Sequence, residues 1–434
     1  MLSSIKNDKP LKGEITIPGD KSISHRSLIF ASLAHGKSEI SGLLEGEDVL
    51  RTAAALSTMG VEIERKDDGK WSVNGSGIVG LMEPDDILDM GNSGTAARLL
   101  AGLVAPYDFT SFFSGDASLR KRPMKRVFDP IKQFGATITA RQENLMPFAI
   151  TGSDSPIPIE YEMKMASAQV KSCILFAAMG TNGITTVIEP EKCRDHTEVM
   201  MRYLGQKIDI TPHKKGNIIK YKGYQEFDAK NFEVPGDISS AAFLIVAALI
   251  IKDSKITIKN VGINPLRDGI IISLREMGAN IEVINEKELC GERVADILVE
   301  HSNLKAVEIP ADRAASMIDE YPIFAVAAAN AIGTTKMLGL EELKVKESNR
   351  LGMIASNLKD CGVTLNMGDD SLEIIGGITQ PKQKVKIQSA MDHRIAMSFL
   401  VMGLTLENGV EIDDASMIKT SFPNFEEIFT GLVY

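Results

Sequence analysis

A short segment near the start of the chain combines a tight turn with three side chains that can hold an anion. Residues 18–20 are the turn sequence Pro-Gly-Asp, and Lys21, Ser22 and Arg26 follow it at the start of the apolar run 28–33. The pattern predicts a strand that ends in a turn and opens a helix. The free N–H groups and partial positive charge at such a helix start attract anions. An ordinary N-capped helix with solvated charges has the same pattern, and this segment alone does not separate the two interpretations.

Basic residues recur near the predicted helix starts along the whole chain. Singly, each is typical of a solvated surface charge, but as a repeated set they indicate a strongly anionic ligand. Two acids, Asp319 and Glu347, stand among them. Such a carboxylate can be an ion-pair partner or a proton-transfer group, and sequence alone favours the ion pair. The basic set is Lys21, Arg26, Arg98, Arg120, Lys121, Arg122, Lys171, Arg194, Lys346, Arg350, Arg394 and Lys419.

Composition sets limits on the class of protein. The 434 residues are 44% hydrophobic and 24% charged, which is typical of a globular chain of two or three domains. The net charge of −10 argues against a nucleic-acid binder. The apolar run 241–251 is too short to span a bilayer, and the first residues lack the apolar core of a signal peptide. Together with four scattered cysteines, these features predict a reduced, cytoplasmic protein without a membrane partner.

Neither a metal nor a nucleotide cofactor is predicted. The histidines and cysteines do not have the spacing of metal ligands. Residues 75–80 match the dinucleotide-binding pattern G-x-G-x-x-G, but the sequence after them, Glu-Pro-Asp-Asp from Glu83, does not continue as a helix.

An internal repeat organises the chain. An alanine-rich helix, a strand, a second helix and a strand led by glycine recur with starts about 70–80 residues apart, which predicts an α/β fold. Helices made of small residues are expected to be buried, and six of them cannot share one small core. We therefore predict one lobe at 18–234 with repeats 1–3, and another at 1–17 plus 235–434 with repeats 4–6. The repeats start at Pro18, Gly91, Met165, Pro235, Ile309 and Met391.

Eight short motifs follow one another across essentially the whole chain. They are Pro18-Gly19-Asp20-Lys21-Ser22 with Ser24-His25-Arg26, Gly91-Asn92-Ser93-Gly94-Thr95, Lys121-Arg122-Pro123-Met124, Ser167-Ala168-Gln169, Arg194-Asp195-His196-Thr197, Lys346-Glu347-Ser348-Asn349-Arg350, Asp392-His393-Arg394 and Ser421-Phe422-Pro423. In this order they resemble the 5-enolpyruvylshikimate-3-phosphate synthase family, and their variants are similar to its class II branch. The resemblance implies two lobes of the enolpyruvyl transferase fold, each of three βαβαββ units with helix N-termini facing the cleft.

The resemblance also implies the reaction and its small-molecule partners. The 5-hydroxyl of shikimate 3-phosphate would attack C2 of phosphoenolpyruvate, and phosphate would leave the tetrahedral adduct, a step of aromatic amino acid biosynthesis. A monomer without cofactor is expected. By the same resemblance, Asp319, Glu347 and Lys21 would be catalytic. Shikimate 3-phosphate would bind at Lys21, Ser22, Arg26, Ser167, Ala168, Gln169, Arg194, Asp319 and Lys346. Phosphoenolpyruvate would bind at Lys21, Asn92, Gly94, Arg122, Gln169, Arg350, Arg394 and Lys419.

The chain departs from the family pattern at two places. Glu342 and Leu343 stand near the position where many relatives have an asparagine, and Thr420 replaces a lysine before Phe-Pro, with Lys419 one residue earlier. Two other functions stay open at this point. A transferase acting on UDP-N-acetylglucosamine typically has a Lys-Asn pair near its start and a reactive loop cysteine or aspartate. Here the pair is Lys21-Ser22, and no cysteine lies between Arg98 and Pro123. A two-lobed anion-binding protein without turnover is the non-enzymatic alternative.

Overall fold

Small mixed sheets alternate with helices throughout the computed structural model, which describes residues 2–433. The helices are α1 Lys21–Leu33, α2 Glu47–Thr58, α3 Gly94–Val104, α4 Lys125–Gln133, α5 Ala168–Met179, α6 His196–Tyr203, α7 Ile238–Ile250, α8 Gly269–Glu276, α9 Ala314–Met317, α10 Tyr321–Ala329, α11 Arg350–Asp360, α12 His393–Gly403 and α13 Phe425–Val433.

The strands are short, and they group in sequence between the helices. They are β1 Ser3–Ser4, β2 Lys12–Thr16, β3 His35–Ser41, β4 Glu62–Arg65, β5 Trp71–Ser76, β6 Leu88–Asp89, β7 Thr110–Ser114, β8 Thr137–Arg141, β9 Leu145–Thr151, β10 Glu160–Glu162, β11 Ile184–Ile188, β12 Ile208–His213, β13 Gly216–Lys222, β14 Phe232–Glu233, β15 Lys255–Gly262, β16 Asn280–Leu289, β17 Glu292–Glu300, β18 Glu308–Ile309, β19 Thr334–Met337, β20 Val363–Met367, β21 Leu372–Ile378, β22 Val385–Ile387 and β23 Val410–Ile412.

The chain forms two units. The central unit comprises Gly19–Val234 and Glu288–Glu292, and the terminal unit comprises the segment up to Pro18, Pro235–Lys287 and the chain from Arg293 onward. Two segments differ from the bounds that the sequence predicts. Pro18 lies in the terminal unit, and residues 288–292 lie in the central unit, where Glu292 Oε1 is 2.6 Å from His196 Nδ1 and Cys290 Sγ accepts the Glu233 N–H at 3.1 Å.

Each complete repeat builds one four-stranded sheet. The central unit has the strand orders β14-β3-β5-β4, β6-β7-β9-β8 and β10-β11-β13-β12. The first pair in each is parallel and the other pairs are antiparallel. In the second and third sheets a single helix, α3 or α5, connects the two parallel strands, and in all three sheets the last two strands form a hairpin. The terminal unit repeats this order in β2-β15-β17-β16 and β18-β19-β21-β20, and its last sheet is β22-β23-β1.

Repeats 1 and 4 exchange their first strands. β2 precedes α1 in the chain but pairs in parallel with β15, with Ile15 opposite Ile258. β14 precedes α7 but pairs in parallel with β3, with Phe232 opposite Ile40. Each strand therefore stays with one unit while the helix after it belongs to the other, which explains why the chain crosses between the units at the Pro-Gly-Asp sequences of residues 18–20 and 235–237.

The small-residue helices form the cores, as the sequence predicts. α1, α3 and α5 are almost entirely buried in the central unit, as are α7, α10 and α12 in the terminal unit. Gly102 on α3 shows why small residues are needed, since a Cβ there would lie 2.1 Å from the carbonyl oxygen of Cys173 on α5. Because these helices bury all their faces, their ends are the places left for polar residues. Throughout residues 2–433, no helix is long and apolar enough to cross a membrane.

Candidate active site

The N-terminus of α1 carries the first group of predicted residues. The Asp20 carboxylate caps the helix by accepting the Ile23 N–H at 2.9 Å, so the turn and the helix form one rigid corner. Lys21 is the first helical residue, and its Nζ lies 3.1 Å from Asp48 Oδ2 on α2. The Lys21 ammonium is thus held at the helix end, mostly shielded from solvent.

Arg26 connects the start of α1 with α5 and α6. Its Nε donates to Thr197 Oγ1 at 2.7 Å, its Nη2 to Ser172 Oγ at 2.7 Å, and its Nη1 to the Ser22 carbonyl at 2.8 Å. Burial and, to a smaller extent, the charge of Arg194 outweigh the acids Glu198, Asp20 and Glu292 and lower the pKa of Arg26 to about 10. The positive charges of Arg26 and Arg194 together favour an anion near the start of α1.

Two of the other predicted phosphate-binding residues lie at the start of α5. The Ser167 hydroxyl caps this helix by accepting the Val170 N–H, and Ala168 is the first helical residue. Arg194 is half-buried just before α6, which begins at His196. Ser172 Oγ and Thr197 Oγ1 lie 2.7 Å apart, so the first turn of α6 is hydrogen-bonded to the second turn of α5.

Gln169 is held between two residues of α3. Its Oε1 accepts Arg98 Nη1 at 2.9 Å, and its Nε2 donates to Thr95 Oγ1 at 3.0 Å. The same Arg98 nitrogen donates to the Gly94 carbonyl at 3.2 Å. Gly94 begins α3 behind the Ser93 cap, so the predicted residues Gly94 and Gln169 meet through Arg98.

Arg122 and Asn92 form a second connected pair in the central unit. Arg122 Nη2 donates to Asn92 Oδ1 at 2.8 Å and to Ser118 Oγ at 3.1 Å. Asn92 Nδ2 donates to Asp116 Oδ2 at 2.6 Å. The neutral amide of Asn92 therefore lies between the Arg122 guanidinium and the Asp116 carboxylate. It holds the guanidinium in place without neutralising its charge.

In the terminal unit, one arginine gathers three carboxylates. Arg350 begins α11, is fully buried, and its Nε donates to Asp392 Oδ2 at 2.8 Å. Its Nη1 donates to Asp319 Oδ1 at 3.0 Å, and its Nη2 donates to Glu347 Oε2. Burial lowers the pKa of Arg350, but Asp392, Glu347 and Asp319 outweigh it and raise that pKa above its ordinary range. The two predicted catalytic acids thus lie on one guanidinium.

Arg394 lies beside this cluster, whereas Lys346 and Lys419 have other surroundings. Arg394 Nη1 donates to the Asp319 carbonyl at 3.2 Å, and the Arg394 backbone N–H donates to Asp392 Oδ1 at 3.0 Å. Lys346 Nζ lies 3.3 Å from Glu342 Oε2. Glu342, near which the chain departs from the family pattern, therefore forms an ion pair with this ammonium. Lys419 is exposed on the 3-10 helix Ser416–Thr420.

Sequence reasoning did not assign the residues that orient the predicted ones. Asp392 holds both Arg350 and the N-terminus of α12, and it also accepts the Ser348 hydroxyl at 3.0 Å. Ser172 and Thr197 do the same for Arg26. Asp392 belongs to the motif Asp392-His393-Arg394, so its role could have been inferred from its position before Arg394. Nothing in the sequence besides its small size distinguishes Ser172.

In these repeated modules of helices and four-stranded sheets, the helix N-termini carry arginines, lysines and carboxylates, which are the groups used in sites for multiply charged anions. In fold, the chain is similar to the enolpyruvyl transferase NikO from Streptomyces tendae, with a TM-score of 0.78 at 17% identity over 99% of this chain and 97% of that one.

Comparison with closer relatives gives the family. The family model for EPSP synthase (3-phosphoshikimate 1-carboxyvinyltransferase) matches residues 5–429, and the chain belongs to this family. The 3-phosphoshikimate 1-carboxyvinyltransferase of Paramagnetospirillum magneticum is 52% identical over 430 residues, with 99% of this chain and 96% of the relative covered. That of Acidiphilium cryptum is 51% identical over 423 residues, covering 98% and 95%. The solved EPSP synthase of Acinetobacter baumannii superposes with a TM-score of 0.89 at 41% identity, covering 99% of this chain and 98% of that one.

Proposed function

We propose that this chain transfers the enolpyruvyl (carboxyvinyl) group of phosphoenolpyruvate to the 5-hydroxyl of shikimate 3-phosphate, with release of phosphate. The observation that carries the proposal is the contact of both Asp319 and Glu347 with the guanidinium of Arg350, since it places two proton-transfer groups at one anion-binding group. Relatives named 3-phosphoshikimate 1-carboxyvinyltransferase support it. The reaction belongs to the shikimate pathway of aromatic amino acid biosynthesis.

The proposed chemistry is an addition followed by an elimination. Asp319 accepts the proton of the 5-hydroxyl while that oxygen attacks C2 of phosphoenolpyruvate, and Glu347 protonates the methylene carbon C3. In the resulting tetrahedral adduct, Glu347 takes a proton back from C3, the bond from C2 to the phosphate oxygen breaks, and the enol ether forms. The departing phosphate takes up the hydroxyl proton held by Asp319, so both acids return to their starting states. Lys21 stabilises the negative charge on the departing phosphate. Each positioned proton transfer contributes about 10²–10⁴-fold.

The substrate-binding roles follow from charge and from shape. Two phosphates and two carboxylates need several fixed cations, and arginine forks suit both groups. The Arg26–Ser172–Thr197 network supports placing the cyclohexene ring of shikimate 3-phosphate near the starts of α1, α5 and α6. For shikimate 3-phosphate we propose Lys21, Ser22, Arg26, Ser167, Ala168, Gln169, Arg194, Asp319 and Lys346. For phosphoenolpyruvate we propose Lys21, Asn92, Gly94, Arg122, Gln169, Arg350, Arg394 and Lys419.

Phosphate release tests the proposal directly. The purified chain should release phosphate only when shikimate 3-phosphate and phosphoenolpyruvate are both present, and omission of either should stop it. Release with UDP-N-acetylglucosamine as acceptor instead would establish the alternative transferase, which the named relatives do not favour. Binding of both substrates without any release would establish a binding protein and refute the enzyme. A monomeric state, a cytoplasmic location and independence of cofactors stay predictions from sequence.

A further inference from the structure

Lys171 is a buried cation for which the proposed reaction has no role. It lies on α5, its N–H donates to the Ser167 carbonyl at 3.0 Å, and its side chain is 1% exposed. Its Nζ lies 2.7 Å from Glu189 Oε1 and 2.7 Å from Glu198 Oε1, and it donates to the Cys193 carbonyl at 3.2 Å. A side chain with one ammonium thus meets three acceptors inside the central unit.

The partners of Lys171 lie on both sides of Arg194 in the chain. Glu189 directly follows β11, Cys193 directly precedes Arg194, and Glu198 is in the first turn of α6. The ammonium therefore ties the whole segment 189–198 to α5. The segment has further internal support, because the Cys193 thiol donates to Glu189 Oε1 at 3.1 Å and Asn217 Nδ2 donates to Glu189 Oε2 at 3.0 Å.

The acids around Lys171 keep its side chain positively charged although it is buried. Burial lowers the pKa of Lys171, but Glu198, Cys193 and Glu189 outweigh it and raise that pKa above its ordinary range, so Lys171 stays an ammonium. Burial raises the pKa of Glu198 despite the opposing charge of Lys171. A hydrophobic group of similar volume would fill a buried site at lower free energy, so stability alone does not explain an ion cluster here.

We propose that Lys171 is a positioning residue that sets the distance between Ser167 at the start of α5 and Arg194 at the start of α6. Its effect would be selectivity for a ring that carries a phosphate over the same ring without it. The inference rests on the proposed function, in which Ser167 and Arg194 hold the 3-phosphate. Lys171 itself would not touch the substrate, since its ammonium is enclosed by its own partners.

Dissociation constants for shikimate 3-phosphate and for unphosphorylated shikimate test this role. Lys171→Met should weaken binding of shikimate 3-phosphate about tenfold or more, because misplacing a binding group by about 1 Å can cost up to about 10²-fold. Binding of shikimate should change less than about threefold, since it has no phosphate for Arg194 to hold. In an Arg194→Ala background, Lys171→Met should add little, because interacting positions are not additive.

Two further variants separate positioning from stability. Glu198→Gln keeps the shape and the Lys171–Glu189 pair, and it should reduce the same selectivity to a smaller degree, so it decides the question if Lys171→Met does not fold. Ile150→Ala removes buried methyl groups from β9 and should lower the urea midpoint of the central unit without changing the selectivity. The single tryptophan, Trp71, reports that midpoint because it lies in this unit.

The outcomes distinguish this inference from the proposal beneath it. If Arg194→Ala leaves the affinity for shikimate 3-phosphate unchanged, the assignment of the phosphate site is wrong. If Arg194→Ala weakens it while the folded Lys171 and Glu198 variants keep the wild-type ratio of the two dissociation constants, the positioning role of Lys171 is overturned. An equal loss for both ligands, as expected from general destabilisation, would overturn it as well.

Discussion

Replacement of Gly94 by alanine tests the phosphoenolpyruvate site most directly. A Cβ at Gly94 would lie 2.7 Å from Arg98 Nη1, whereas ordinary contacts begin near 3.4 Å, so this nitrogen must move by about 0.7 Å. Arg98 Nη1 now contacts Gln169 Oε1 at 2.9 Å, so a shift of this size away from Gln169 would lengthen the contact beyond about 3.5 Å, where it is no longer a hydrogen bond. Gly94→Ala therefore disturbs two of the proposed binding residues at once.

The expected magnitude follows from that lost contact. A hydrogen bond to a charged group contributes about 1.5–3 kcal/mol, which corresponds to about 10- to 150-fold in an equilibrium constant. We expect the KM for phosphoenolpyruvate to rise by about this factor in a phosphate-release assay. The dissociation constant of shikimate 3-phosphate should change much less, because Arg26 and Ser167 keep their contacts.

Gly431→Ala is the matched control for this substitution. Gly431 also lies in a helix, α13, and an added Cβ there would meet no atom within 4 Å. Its KM for both substrates should equal that of the unmodified chain. A KM for phosphoenolpyruvate within about twofold of the control in folded Gly94→Ala would remove Gly94 from the phosphoenolpyruvate site, since that change is less than the loss of a single hydrogen bond.

Three other predictions concern the acids, the acceptor and a buried histidine. Asp319→Ala should lower kcat about 100-fold or more, whereas Glu347→Gln should block deuterium exchange into the phosphoenolpyruvate methylene; near-normal kcat at saturation would make Asp319 only a charge partner of Arg350. Unphosphorylated shikimate should lose most of the turnover, and equal kcat/KM for both acceptors would exclude the phosphate-binding role of Arg194. Burial, then the charges of nearby cations, lower the pKa of His25 well below its ordinary value, so the unfolded chain binds the proton first and stability should fall as pH drops below about 6.5, by up to about 1.4 kcal/mol per pH unit. His25→Gln should flatten this slope in urea midpoints followed by Trp71 fluorescence, and an unchanged slope would assign the proton uptake elsewhere.

Local signals were enough to predict the repeat architecture. The Pro-Gly-Asp turns, the small-residue helices and the glycine-led strands depend on neighbouring residues, and each is visible in a short window of sequence. The caps at Asp20, Ser93 and Ser167 follow from the same local pattern. The eight motifs likewise indicate the family without any tertiary contact, because each motif is a short run of residues near one helix start.

Tertiary structure alone decided which residues act together. The exchange of β2 and β14 between repeats, and the return of 288–292 to the central unit, pair segments far apart in the chain. Arg26 meets Thr197 across 171 positions, and Arg350 meets Asp392 across 42. No local pattern encodes such contacts, because the hydrogen-bond partner of each side chain is far away in the sequence. A buried lysine such as Lys171 therefore looks like a surface charge in the sequence, and only the packing of α5 against the segment around Arg194 shows the carboxylates that make its burial possible.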